Sequence, residues 1–302
     1  MKDSNNISNT TNRLAYERLL DTGVPMLISF SGGRTSAFMT KFLMEYEPYK
    51  NFEKVVCFAN TGRENEATLE FVDKCDREFG LNVVWLEPSV DPEKGKGTTY
   101  KIVDFESSSR QGEPFEAVIA KYGIPSKQFP HCTRELKQRP INAYMRDLGL
   151  NDWVTAIGIR ADESHRINYN NGVWKHTMYP LADLLKVDEA FIREWWSRQS
   201  FDLKLKDYEG NCDLCWKKSK RKRLTLISEN SSVAEWWANM EREYGEGKYL
   251  FDQRDGLSIP DLVELAKHPF SKAIDKHEAS KRQIPLFEPK MDLEWDCFCK
   301  AS

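Results

Sequence analysis

The chain has 302 residues, 40% of them hydrophobic and 30% charged, enough for one large domain or two modest ones around a sizeable core. Its 44 lysines and arginines against 47 acidic residues leave a formal net charge of -3. That balance excludes binding to nucleic acid or to an anionic membrane by bulk charge, though not through a local basic patch.

Residues 1–12 are almost wholly polar, and a short amphipathic helix around Arg13–Asp21 ends at Gly23, so residues 1–22 read as an N-terminal arm. The polar start lacks the apolar stretch of a secretory signal, and no window holds about 18 consecutive apolar residues. A soluble, cytoplasmic protein with no membrane partner is therefore expected. Met26–Phe30 is β-rich and runs through Ser31-Gly32-Gly33 into the helical pattern of Thr35–Tyr46. The alternation recurs as a strand at Lys54–Ala59, a helix at Glu66–Phe79, a strand at Leu81–Leu86, a helix at Arg139–Leu148 and a strand at Trp153–Ile159. Strands separated by helices of about ten residues require right-handed crossovers, hence an α/β domain over residues 23–201. Its sheet is mainly parallel and Rossmann-like, with helices on both faces. Between Glu87 and Pro130, prolines and glycines break the pattern, and the stretch reads as a loop-rich insertion. Beyond Asp202 the strand signals fade. Helical patterns at Asp213–Ser228, Val233–Tyr244 and Pro260–Lys267 predict a small helical, cysteine-containing subdomain over residues 202–302.

In open parallel sheets a ligand sits beyond the carboxyl ends of the strands, where a glycine turn lets backbone N–H groups approach an anion. Ser31-Gly32-Gly33-Arg34-Thr35-Ser36 has that form, with three hydroxyls suited to phosphate oxygens. Alone it reads equally as a strand-to-helix turn with a hydroxyl cap. It lacks the three glycines of a dinucleotide fingerprint and the Gly-Lys-Ser/Thr ending of a Walker loop. It does resemble the PP-loop of the ATP pyrophosphatase superfamily, with Thr35 where many members carry Asp, as in the PAPS (phosphoadenylyl-sulfate) reductase-like branch. Two later strand-end segments resemble the same branch: Asn60-Thr61-Gly62-Arg63-Glu64, and the run from Gly158-Ile159-Arg160-Ala161-Asp162 to Arg166.

The resemblance spans roughly Val24 to Trp216. It implies an adenine nucleotide alpha hydrolase-like fold that binds ATP or an adenylyl sulfate through Ser31, Gly32, Gly33, Arg34, Thr35, Ser36, Thr61, Gly62, Glu64, Gly158, Arg160 and Arg166. Arg160 and Arg166 suit forked bonds to phosphate or sulfate. Asp162 or Glu163 suits a magnesium ion bridging phosphate oxygens. Arg160 and Asp162 are therefore candidate catalytic residues. Arg34 reads equally as an anion ligand or a solvated helix-start arginine, and His165 as a surface histidine. Tyr179-Pro180-Leu181 resembles a structural turn of the family.

Seven cysteines, an odd number, argue against a disulfide framework. Cys57 and Cys75 fall in a predicted strand and helix and read as core or surface thiols, not ligands. Cys132, ahead of a basic helix, and the pair Cys212 and Cys215 suit one metal centre, zinc or iron–sulfur. Together they resemble the Cys-Cys…Cys-x-x-Cys set that holds a [4Fe–4S] cluster in adenylyl-sulfate reductases, with His131 in place of the first cysteine. The fourth ligand is then His131, Cys297 or Cys299, the tail cysteines being the other candidates. In the reductases a C-terminal cysteine is the nucleophile and thioredoxin its partner, so Cys297 and Cys299 are also candidate catalytic residues. The basic run Lys217–Arg223 reads either as a solvated helix face or as a guide for an anionic acceptor such as nucleic acid. Trp195-Trp196 and Trp236-Trp237 read as packing.

These readings predict a PAPS reductase-like PP-loop enzyme with an iron–sulfur centre that adenylates an acceptor with ATP and then delivers sulfur from a donor protein. The alternatives are a thioredoxin-dependent reductase that releases sulfite, and a zinc-stabilised nucleic-acid-binding module with an inactive loop.

Overall fold

The computed structural model describes residues 15–168, 176–210, 212–253 and 255–275. Six strands form one sheet: β1 (Met26–Ser29), β2 (Lys54–Ala59), β3 (Val84–Val90), β4 (Thr98–Val103), β5 (Val154–Ile157) and β6 (Thr177–Met178), in the order β4-β3-β2-β1-β5-β6. All neighbours are parallel except β3 and β4, as the α/β expectation requires. Successive side chains of β1 point to opposite faces, and both faces are covered. Met26, Ile28 and Phe30 enter a core with Val56, Phe58 and helices α1 (Arg34–Glu45) and α2 (Glu66–Phe79). Leu27 packs on the other face with Val55, Cys57, Leu86, Met145 and Trp153. Cys57 and Cys75 are both buried core thiols, and burial pushes each well above the ordinary thiol range.

The segment expected to be a loop-rich insertion is more ordered than its prolines suggest. It contains β4, which turns back antiparallel on β3, and helix α3 (Glu113–Tyr122), whose second residue is Pro114. Proline is accommodated there because the first helical positions have no intrahelical N–H partner to lose. The third strand lies at Val84–Val90 rather than Leu81–Leu86, with Pro88 inside it. The basic helix begins eight residues earlier than its apolar pattern indicates. Helix α4 runs as His131–Thr133, a π-helical Arg134–Gln138 and Arg139–Asp147, so Pro140 sits inside one continuous element. The widened π turn leaves that proline without a clash.

Short helices α5 (Pro180–Asp183) and α6 (Glu189–Ser197) complete the first core, where Trp195 and Trp196 stack among Phe38, Phe71, Phe79 and Phe201. Helices α7 (Lys220–Glu229), α8 (Val233–Tyr244) and α9 (Ile259–Leu265) follow. Their core is shared: Leu224, Trp237, Met240 and Leu262 pack with Phe115, Ile119, Cys132 and Leu136 from α3 and α4. The carboxyl-terminal helices are thus built onto the inserted segment. No helix among the described residues is long and apolar enough to cross a membrane.

Within this second core Arg223 pairs with Asp252, their side chains only 2% and 6% exposed. Truncating one member of so buried a pair strands the other charge. Asp252→Ala is expected to lose about 3–5 kcal/mol in urea denaturation, and the double variant Arg223→Met/Asp252→Leu much less. A single variant as stable as the parent would show that the pair does not carry the helical core.

Candidate functional site

Strand order decides where a ligand can sit. The connections from β1 go to β2 on one side, and β5 lies on the other, so the carboxyl ends of β1 and β5 open a crevice at the switch point. The Ser31–Ser36 turn forms its floor. Gly32 has φ +78, and a Cβ there would stand 2.7 Å from Thr68 Cγ2 and 3.1 Å from Phe58, so the turn requires glycine. Gly33 begins α1 with extended backbone, no side-chain cap and no acidic residue in the first turn. The first-turn N–H groups of a twelve-residue helix are therefore left for an anion. Ser31 Oγ donates to Ser36 Oγ at 3.0 Å, and Ser36 Oγ donates to the Gly33 carbonyl at 3.0 Å, which braces the loop.

Arg34 turns away from this floor. Its guanidinium forks onto Asp202 at 2.7 and 3.0 Å and also donates to the Leu203 carbonyl, while its own carbonyl accepts from Trp196 Nε1 at 2.9 Å. It lines a separate cavity of about 320 Å³ with Arg193, Gln199, Phe201 and Asp207. The arginine that reaches the loop is Arg160, whose Nη1 donates to Thr35 Oγ1 at 3.1 Å. Gly158 makes that approach possible, since a Cβ there would lie 3.1 Å from Ser36 Cα.

Arg160 also forks onto Asp162 at 2.9 and 3.1 Å and lies 3.3 Å from Glu163, which in turn holds Arg166. Burial pushes Asp162 up, but the Arg160 pair outweighs it and the carboxyl lies below its ordinary value. Both carboxylates expected to hold magnesium are therefore counter-ions of arginines. His165 is exposed, as expected for a surface histidine.

The loop after β2 is set by its own side chains. Asn60, fully buried, donates to Glu87 at 2.7 Å and to the Ser109 carbonyl at 2.8 Å, and accepts from Gly62 N at 3.1 Å. Gly62 has φ +80. Glu64 folds inward: its carboxylate accepts from Thr61 N at 2.9 Å and from the Thr61 hydroxyl. The Cys212 loop docks on this segment. Glu64 and Cys212 form an antiparallel bridge, Arg63 pairs with Asp213, and Asp213 N donates to the Arg63 carbonyl at 3.0 Å. Burial pushes the Asp213 carboxyl up despite Arg63 and the Trp237 Nε1 bond at 2.8 Å.

The candidate thiols come to neighbouring segments without forming a closed ligand set. Cys132 and Cys215 are buried and Cys212 is half-buried. Lys217 links the two segments by donating to Thr133 at 2.8 Å. His131 has a buried Nε2 with no hydrogen-bond partner, and burial holds its pKa below the ordinary imidazole value. Yet among the described residues no three His, Cys, Asp or Glu side chains are placed to hold one metal ion, so the described donors as arranged do not fit a single zinc ion. Cys297 and Cys299 lie outside the described residues.

The basic run is not a continuous solvated face. Lys217 and Arg223 are buried, Arg223 against Asp252, and Lys218 donates to the Cys212 carbonyl. Trp236 and Trp237 pack with Phe115 and Phe251. Sequence reasoning gave no site role to Glu87, which lies in no recognisable motif, or to Lys137, which belongs to the basic run after Cys132; both roles depend on strand and helix placement.

The phosphoadenosine phosphosulfate reductase domain family matches residues 25–107. The nin region protein ORF290 of Escherichia phage lambda is 34% identical over 200 residues, 65% of this chain and 67% of that protein. The chain belongs to the PAPS reductase-like PP-loop family. Among solved structures, the phosphoadenylyl-sulfate reductase of Candida auris in its phosphate complex is 15% identical, covering 65% of this chain and 87% of that one with a TM-score of 0.39. The U34-tRNA thiolase NcsA of Methanococcus maripaludis with its [4Fe-4S] cluster is 16% identical, covering 88% and 82% with a TM-score of 0.36.

The PP-loop geometry makes Gly32 a sharp test. Gly32→Ala is expected to lose about 1–3 kcal/mol in urea denaturation, part of it recovered by Thr68→Ser, which removes the clashing methyl. A Gly32→Ala protein as stable as the parent would refute the requirement for glycine in this turn.

Proposed function

We propose that this chain binds ATP at its PP-loop, cleaves the bond between the α- and β-phosphates, and transfers the adenylyl group to an acceptor that then receives sulfur. The observation that carries this reading is the uncapped start of α1 at the switch point, with Arg160 bonded to Thr35 across it. The β- and γ-phosphates meet the first-turn N–H groups, with the Ser31 and Ser36 hydroxyls bracing the loop around them. An acceptor oxygen attacks the α-phosphorus, the bond to the bridging oxygen of the β-phosphate breaks, and pyrophosphate leaves with the negative charge. Arg160, held in a fork by Asp162, is placed to stabilise that charge. A donor sulfur nucleophile then displaces AMP from the acceptor.

The half-buried Cys212, on the segment bridged to the loop after β2, is the described thiol closest in the chain topology to this chemistry.

The test is pyrophosphate release from ATP, with water as the slow acceptor, beside sulfite release from adenylyl sulfate with thioredoxin. Pyrophosphate is expected. Arg160→Lys, which keeps the charge and loses the fork, should lower the rate about 10–100-fold with the urea midpoint unchanged. Sulfite without pyrophosphate would replace this reading by that of a reductase.

A further inference from the structure

We propose that Glu64 is a positioning residue that seats Cys212 against the nucleotide loop, not a ligand of the nucleotide itself. The part concerning ATP rests on the function proposed above. The Glu64 side chain is completely buried, so its carboxylate presents nothing to the crevice. One oxygen is engaged by Thr61, through the backbone N–H at 2.9 Å and through the hydroxyl. The other faces Lys137 Nζ at 3.5 Å and accepts from the Cys212 thiol at 3.9 Å. Thr61 Oγ1 lies 3.8 Å from the same sulfur.

A single carboxylate thus closes the strand-end loop and holds the cysteine loop to it, in register with the backbone bridge between Glu64 and Cys212. Of the five described cysteines, Cys212 alone is not buried. The thiol that reagents can reach is therefore the one whose place is set by the loop that includes Thr61 and Gly62. A shift of that loop on nucleotide binding is transmitted to Cys212 through two bonds of one side chain. Lys137 offsets the buried charge.

The experiment measures alkylation of each cysteine by iodoacetamide, read peptide by peptide by mass spectrometry, with and without ATP, beside the thermal shift that ATP produces. In Glu64→Gln without ATP, Cys212 is expected to react about tenfold faster because its loop opens locally, while Cys132 and Cys215 stay slow. In the parent, ATP should slow Cys212 about threefold or more. In Glu64→Gln that slowing should vanish although the ATP thermal shift persists. A general loosening would accelerate all three thiols.

A Cys212 rate and ATP response within about twofold of the parent would overturn the proposal. So would loss of the ATP thermal shift with an unchanged Cys212 rate, which would make Glu64 a nucleotide ligand. No thermal shift in the parent would sink the ATP reading, while the ATP-free rates still decide the seating of Cys212. If Glu64→Gln does not fold, Glu64→Asp, which keeps the charge but is one methylene too short to span both loops, is measured against the same outcomes.

Discussion

The ion pair between Arg63 and Asp213 is the joint on which the arrangement depends. Its side chains are 14% and 17% exposed, and taking two charges so far out of water costs several kcal/mol before their attraction offsets it. The Asp213 side is well satisfied, Trp237 Nε1 and Leu214 N both donating to its Oδ1 at 2.8 and 2.7 Å, while Arg63 lies 5.0 Å over the Trp236 ring with its Nε unpartnered among the described residues. Such a pair contributes little net stability against an apolar replacement, but it has one geometry. Arg63 belongs to the loop after β2, and Asp213 lies between the two cysteines of the Cys212–Cys215 segment. The pair thereby sets the cysteine loop on the sheet's carboxyl edge, and the second core follows, because Leu214 is buried beside Trp237 and Cys132.

A second tether works on the other side of the crevice. Arg34 opens α1 yet is committed to Asp202 and Leu203, and Arg193 on α6 holds Asp207 in the same stretch. Residues 202–207 are thus tied to the start of the nucleotide helix shortly before the chain reaches Cys212. The PP-loop and the cysteine loop are connected twice, through Glu64 and Arg63 from β2 and through Arg34 from α1.

What was legible in the sequence was local. The strand, glycine turn and helix over residues 26–45 announce themselves because apolar period and glycine placement agree. The three strand-end loops follow from that alternation, and the strand order then brings them to one edge. The carboxyl-terminal helices are legible too, although the first begins at Lys220 rather than Asp213, but their partner is not. Only the fold shows that Phe115, Ile119 and Leu136 complete their core, because pairing across more than eighty positions leaves no periodic trace. β4 is hidden for a different reason: it is a sheet edge, with Thr99, Lys101 and Ile102 exposed, so the alternation that marks a half-buried strand is broken. Arg34 and Glu64 show the same limit within the motifs. Their positions fit an anion site, but direction is a tertiary property, and one side chain turns to Asp202 and the other into the protein.

Direction also alters the meaning of the charge balance. Several of these opposite charges are paired with each other inside the fold: Arg63 with Asp213, Arg34 with Asp202, Arg160 with Asp162 and Glu163, and Arg223 with Asp252. Around the crevice this pairing has a chemical consequence. An arginine already forked onto a carboxylate is desolvated and oriented before any ligand arrives, and a phosphate oxygen pair matches the same fork. Arg160 is oriented in this way by its fork onto Asp162, which is 38% exposed. Glu64, whose side chain is completely buried, and Asp213, at 17%, are more enclosed. The paired arginine nearest the PP-loop therefore lies on the β5 side of the crevice, while on the β2 side Glu64 couples the strand-end loop to Cys212.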